Sequence, residues 1–327
     1  MSKNVCCFTS SNLAYISRSR VLAWSFKKHN PHIDIVLILS DQYPEGFSLN
    51  LDEEPFDKII LVHEIGIPDF INWSFKHNVV ELCTAVKASA AKYLTGFYEK
   101  VIYLDPDIGV FDSLNFMVDL LDSHDILLTP HQLSSCENNE MYIKDIELCT
   151  LKHGVFNLGF FAVSKGHQAV EFLNWWESRL MRYCYEDIPS GIFTDQKWCD
   201  MAPAYFSNLC IIRDPGCNLA SWNLFERRIS IENGSILVNR DFTLKFYHFT
   251  KYGGDGDVMT KRYAQTQDSF EVWFWYGRAL KEFSYNLPKK DYYHYGFYDD
   301  GKKILEPDRQ KYRDVYKLGL PNPYAKV

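Results

Sequence analysis

Asp105 and Asp107 stand one residue apart at the end of the strand-forming run Val101-Ile102-Tyr103-Leu104, and the chain turns apolar again at Ile108. An Asp-x-Asp closing a buried strand sets acidic oxygens at the carboxyl edge of a sheet, where they have no core partner and need a cation. A hard divalent metal carrying a diphosphate suits them, because Mg²⁺ or Mn²⁺ keeps part of its shell for phosphate oxygens. Other polar residues punctuate the apolar segments. Thr9, Ser10, Asn12 and Tyr15 follow the first strand, and Asp41 follows the second. Lys87 lies on the helix before the acidic strand. Asn157 and Gly159 sit in a later strand, Asp195 and Gln196 in a loop, and His248 ends the last strand. Each has a plain structural alternative: Thr9 and Asp41 as turn caps, Lys87 as a solvated cation, His248 as a hydrogen-bonded core histidine. Their order along the chain is what favours chemistry.

The elements that must position these residues alternate between strand and helix. Strands are expected at 4–9, 33–39, 58–62 and up to Asp105, with helical stretches over 13–28 and 79–94. This βαβ rhythm implies a parallel sheet with crossover helices, whose ligands collect at the carboxyl ends of the strands. Further strands are expected at 125–129, 156–163, 209–213, 235–238 and 244–249. An amphipathic helix over 168–183 should turn Val170, Leu173, Trp176 and Leu180 inward. A glycine-rich stretch at 251–257 precedes one long helix over 259–283 and an aromatic, lysine-rich tail. The expected division is therefore 1–250 for a nucleotide-binding and catalytic domain and 251–327 for a helical extension, on the acceptor side or used in oligomerisation.

With 327 residues, 46% hydrophobic and 16% aromatic, there is ample material for a large core. The net charge of −7 argues against a nucleic-acid backbone as partner. The nine cysteines contain no C-x-x-C pair and read as small buried hydrophobes in a reducing compartment. No leader and no run of 18 apolar residues is visible, so a soluble cytoplasmic protein is expected.

The segments 99–111, 153–161, 175–176, 193–198, 215–224 and 246–249 together resemble the GT-A-fold glycosyltransferases, most closely the family 8 type and its bacterial polysaccharide and glycoprotein branch. The resemblance covers roughly residues 4–250. It implies an α/β fold with a mixed, mainly parallel sheet flanked by helices. It also implies a nucleotide-sugar donor, with a UDP-sugar favoured, and Mn²⁺ or Mg²⁺ held by Asp105, Asp107 and His248. Thr9, Ser10, Asn12, Tyr15 and Asp41 would hold the base and ribose, Asp105 the ribose as well as the metal, and Lys87 the phosphates or donor sugar. Asn157, the backbone around Gly159, Asp195 and Gln196 would hold sugar hydroxyls and line the anomeric carbon. The acceptor would be a glycan, a glycoprotein or a lipid-linked glycan at a membrane surface, and a homo-oligomer is compatible with the aromatic tail. One departure concerns the lysine that reaches the diphosphate: either Lys251 fills that role from a shifted loop, or the contact is missing. The alternatives are a catalytically degenerate carbohydrate-binding subunit and, further off, a phosphohydrolase using Asp105 as nucleophile.

Overall fold

The computed structural model describes residues 4–325. Four parallel strands form its heart: β1 (Val5–Ser11), β2 (Asp34–Leu39), β3 (Lys58–Leu61) and β4 (Lys100–Leu104). A short β5 (Ile108–Val110) leaves this sheet, while β6 (Ile126–Pro130) and β7 (Phe156–Val163) extend it. With the strand Leu209–Ile211 at one edge, seven strands run in the order Leu209–Ile211, β6, β7, β4, β1, β2, β3. Only β7 is antiparallel to its neighbours β4 and β6.

Period-two alternation explains why these strands read as unbroken apolar runs. Phe8, Val36, Ile38, Val101 and Tyr103 pack into the core on one face. Cys7, Ile35, Leu37, Ile102 and Leu104 pack into the core on the other. A sheet covered on both faces needs apolar residues at every position. A third core joins helix Gln267–Glu282 to the strands beyond residue 219 through Tyr247, Phe249, Trp273 and Tyr276.

Several expected elements are corrected. The helix expected over 79–94 is two, Val79–Ala85 and Lys87–Leu94. The Thr84 hydroxyl donates to the Val80 and Glu81 carbonyls, a back-bond that bends helices, two residues before the break at Val86. The helix expected over 259–283 is likewise two, Asp255–Tyr263 and Gln267–Glu282. Between them the Gln265 amide donates to the Leu224 and Phe225 carbonyls and the Thr266 hydroxyl to that of Ile229, replacing helical bonds with tertiary ones. In helix His167–Tyr183 the inward face is Ala169, Phe172, Leu173, Trp176 and Leu180, whereas Val170 is exposed because it falls one position off that stripe.

The aromatic tail folds back onto the molecule. Tyr293, Tyr295 and Tyr324 join the same core as β1 and β4. Arg309, buried in helix Glu306–Val315, donates to the Phe75 carbonyl at 2.7 Å and to the Tyr295 carbonyl at 2.7 Å. Among the described residues no helix is long and apolar enough to cross a membrane.

Replacing Arg309 with methionine leaves two buried carbonyls without charged donors, so Arg309→Met should cost about 2–4 kcal/mol of stability in a urea titration. The segment around Tyr295 should also become protease-sensitive. A variant as stable and as resistant as the wild type would refute this clamp.

Candidate active site

The site forms where β4 ends. Pro106 cannot continue a ladder, and the chain turns tightly, with Ile108 N donating to the Asp105 carbonyl at 3.1 Å. β5 then pairs antiparallel with strand Phe246–His248, setting Ile108 opposite His248, and Phe249 N donates to the Asp107 carbonyl at 2.8 Å. This pairing brings a histidine from far along the chain against the two carboxylates. His248 Nε2 lies 3.0 Å from Asp107 Oδ1 and 3.7 Å from Asp105 Oδ2. One ligand atom from each of the three residues falls within 4.8 Å of the others.

The donor set fits a divalent cation. Adjacent ligands on an octahedron of radius about 2.1 Å stand about 3 Å apart, close to the separations seen here. The surroundings also prepare each ligand. Asp105 Oδ1 is taken by the Tyr103 hydroxyl at 2.6 Å and Lys87 Nζ at 3.1 Å, which leaves Oδ2 for the cluster. His248 Nδ1 donates to Asn157 Oδ1 at 3.2 Å, so Nε2 is the atom turned to the carboxylates and the one that would offer a lone pair to a metal once its proton is lost. Burial alone would push the Asp107 carboxyl up, but the neighbouring His248 and the Arg18 charge bring it below its ordinary range. Conversely, burial would depress His248, and the carboxylates of Asp107 and Asp105 lift it.

Asn157 Oδ1 also accepts from Gly159 N at 3.1 Å and Asn218 Nδ2 at 3.0 Å, while the Asn157 amide nitrogen faces His131 Nε2 at 3.2 Å. Gly159 is required by close approach: a Cβ there would lie 2.6 Å from His248 Nδ1 and 2.7 Å from Asn157 Oδ1. Trp222 packs edge-on against the His248 ring at 5.5 Å.

Lys87, only 2% exposed, joins this cluster to a second one. Its ammonium reaches Asp105 Oδ1, Asp195 Oδ2 at 2.8 Å and the Leu158 carbonyl at 2.9 Å. The two carboxylates hold the ammonium charged despite its burial. Asp195 is pushed up by burial, with Lys87 offsetting only part. The Thr194 hydroxyl donates to Asp195 Oδ1 at 3.0 Å, and Trp176 Nε1 donates to the Asp195 carbonyl at 3.0 Å. Thr194 itself has φ 43°, a left-handed conformation that a β-branched residue adopts only under constraint. Gln196 Nε2 donates to the His153 carbonyl at 3.1 Å.

The remaining expected residues divide. Thr9, Ser10 and Asn12 are buried at the end of β1; Ser10 Oγ meets Ser40 Oγ at 2.9 Å and Asn12 Nδ2 donates weakly to the Tyr292 carbonyl at 3.4 Å. Tyr15 is 42% exposed. Asp41 is fully buried, and its carboxylate accepts from the backbone N–H groups of Leu13, Gln42 and His294 at 3.1, 3.0 and 2.8 Å. That carboxylate is engaged by the chain itself, so its geometry is that of a clamp between the first two strands and the tail. Burial raises it to about 6, the three N–H groups offsetting part of the rise. Lys251 is 69% exposed and paired with Asp255 at 3.2 Å, outside the cluster. Tyr103, Arg18, His131, Asn218 and Trp222 were not expected. Asn218 and Trp222 lie in segment 215–224, where the resemblance could have found them; a lone arginine on a helix and a histidine in a loop carry no such pattern.

No protein-family model matches this chain. The uncharacterized protein YfnF of Bacillus subtilis is 27% identical over 161 residues, 47% of this chain and 50% of its own length, so the match spans half of that relative. YfnD of the same organism is 20% identical over 235 residues, 70% of this chain and 71% of its own. Among solved structures, the galactosyltransferase LgtC with donor and acceptor sugar analogs superposes with a TM-score of 0.51 at 15% identity, covering 88% of this chain and 98% of its own. The glycosyltransferase GlyE of Streptococcus pneumoniae gives 0.51 at 16% identity over 89% of this chain and 66% of its own. The chain has the GT-A glycosyltransferase fold. In this GT-A fold the Asp105–Asp107 turn follows the fourth strand, at the carboxyl edge of the parallel half of the sheet.

The His131 ring keeps some exposure, but burial of its nitrogens pushes the imidazole down to about 4. The folded value lies below the unfolded one, so the unfolded chain binds more protons between pH 6.5 and 4, and stability falls as pH drops through that window. Allowing for partial exposure, the wild type should lose about 2 kcal/mol more than His131→Gln across it. Parallel urea-derived stability profiles for the two proteins would refute this.

Proposed function

We propose that this chain is a metal-dependent glycosyltransferase that moves a hexose from a nucleotide-diphosphate sugar to a glycan, glycoprotein or lipid-linked glycan. The observation that carries the reading is the meeting of Asp105, Asp107 and His248 at the edge of a GT-A sheet, joined through Lys87 to Asp195. Two carboxylates and an imidazole favour Mn²⁺ over Mg²⁺. A UDP-sugar is the favoured donor. LgtC, which shares the fold, is a galactosyltransferase solved with donor and acceptor sugar analogs, and this supports a sugar donor here.

Asp105 Oδ2, Asp107 Oδ1 and His248 Nε2 would hold the metal, and Asn157 keeps the imidazole in the ligating tautomer. When bound, the metal would offset the diphosphate charge as the leaving group departs. Thr9, Ser10, Asn12 and Tyr15 are assigned to the nucleoside, with Asp41 as a positioning residue beneath them. Asp195, Gln196 and the backbone at Gly159 are assigned to the donor sugar. An Asp195 carboxylate fixed by Lys87 and Thr194 is a weak nucleophile, which favours front-face displacement with retention. The acceptor oxygen bonds to the anomeric carbon as the bond to phosphate breaks, and the acceptor proton passes to the departing phosphate oxygen. Positioning and electrostatics then supply most of the rate. The free thiols fit the cytosol, beside a membrane when the acceptor is lipid-linked.

Calorimetry with Mn²⁺ and UDP should show metal-dependent binding to the wild type that weakens by more than about 100-fold in Asp107→Ala, a larger loss than the 10- to 100-fold typical of outer-shell changes. Equal affinity in the two would sink the metal assignment. A mass-spectrometric screen of nucleotide sugars with Mn²⁺ that finds neither transfer nor donor hydrolysis would sink the transferase reading.

A further inference from the structure

A diphosphate brings more negative charge than the metal alone offsets, and neither lysine is placed to share it. The three N–H groups of Lys87 face Asp105, Asp195 and the Leu158 carbonyl. Lys251 points outward to Asp255. Arg18 is different. It lies in the first turn of α1 (Ile16–His29), which starts just beyond the carboxyl end of β1, the neighbour of β4. Its guanidinium stacks over the Tyr15 ring at 4.7 Å, and Nη2 makes a long contact of 3.5 Å with the Tyr252 carbonyl, four residues past His248.

Arg18 forms no ion pair among the described residues, although its charge is felt at Asp107. Nη1 is buried and faces the Tyr276 hydroxyl; the two interact with each other, off the ideal alignment, and neither atom has another partner among the described residues. The Tyr276 ring is stacked on Phe249 at 4.0 Å and 3°, and Phe249 is bonded through its N–H to the Asp107 carbonyl. Nη1 and the hydroxyl therefore have only each other, with no anion between them, and the guanidinium charge is felt at Asp107. Burying an arginine against a neutral hydroxyl alone leaves its charge uncompensated, and an anionic ligand bonded by both groups removes that cost.

We propose that Arg18, with the Tyr276 hydroxyl, forms the anion subsite that takes the diphosphate of the nucleotide sugar, in place of the loop lysine. This rests on the transferase reading. Tyr15 supports the guanidinium from below by cation–π contact.

The test is calorimetry on the full chain with Mn²⁺ and each of UDP, GDP, CDP and ADP, and with the monophosphate of whichever binds. Arg18→Met should weaken the diphosphate by about 10- to 100-fold, the range of a lost charged hydrogen bond, while the monophosphate changes much less. Arg18→Lys should recover part of the loss. Tyr276→Phe keeps the stacked ring, should leave the melting temperature unchanged, and should weaken the diphosphate by several-fold; it serves equally if Arg18→Met fails to fold. Diphosphate affinity within 2-fold of wild type in Tyr276→Phe and any folded Arg18→Met would overturn the subsite alone. A wild type that binds none of the four diphosphates would overturn the transferase reading and the subsite with it.

Discussion

A buried ammonium holds the active-site region together. Lys87 reaches the end of β4 through Asp105, the middle of β7 through the Leu158 carbonyl, and the loop after helix His167–Tyr183 through Asp195. Removing one partner would strand a charge in the interior, a penalty of several kcal/mol in comparable cases. The three segments are thereby bound to one geometry. The break at Val86 is part of this arrangement, because Lys87 opens the second of the two helices. The strained Thr194 is anchored at the same point, its hydroxyl and the Trp176 indole both fixing Asp195.

Much of this was legible in the sequence because it depends on local pattern. β1, β2, β4 and β7 are buried on both faces, so most of their residues are apolar, and the polar exceptions near their ends stood out. The residues collected at those ends (Asp105, Asp107, Asn157, Gly159 and His248) are the ones the fold brings together. The Asp-Pro-Asp turn and the histidine could be paired in advance only through a resemblance. Nothing in residues 105–108 states that β5 will leave the main sheet to pair with Phe246–His248.

What stayed hidden depends on contacts between distant residues. Thr84, Gln265 and Thr266 broke expected helices because their side chains bonded to carbonyls, two of them in remote segments. Val170 misled because a stripe of apolar residues does not reveal which edge of the stripe is solvated. Asp41 looked like a ligand-binding carboxylate at a strand end, yet its partners are backbone N–H groups, one of them supplied by His294. Arg18 and Arg309 lie on ordinary amphipathic helices, where sequence treats an arginine as a solvated charge.

The bond from His294 to Asp41 closes a loop of 253 positions. All seven strands of the main sheet will have left the ribosome well before residue 294 does, at roughly 5–20 residues per second. Until then the loops after β1 and β2 lack one of the donors that fixes them, and the buried Asp41 carboxylate faces solvent. The edge where β1 and β2 end is thus completed late in synthesis, and helix Glu306–Val315 docks against Phe75 later still. If the donor binds at this edge as proposed, a nascent chain holds a formed sheet before it has a finished place for that donor.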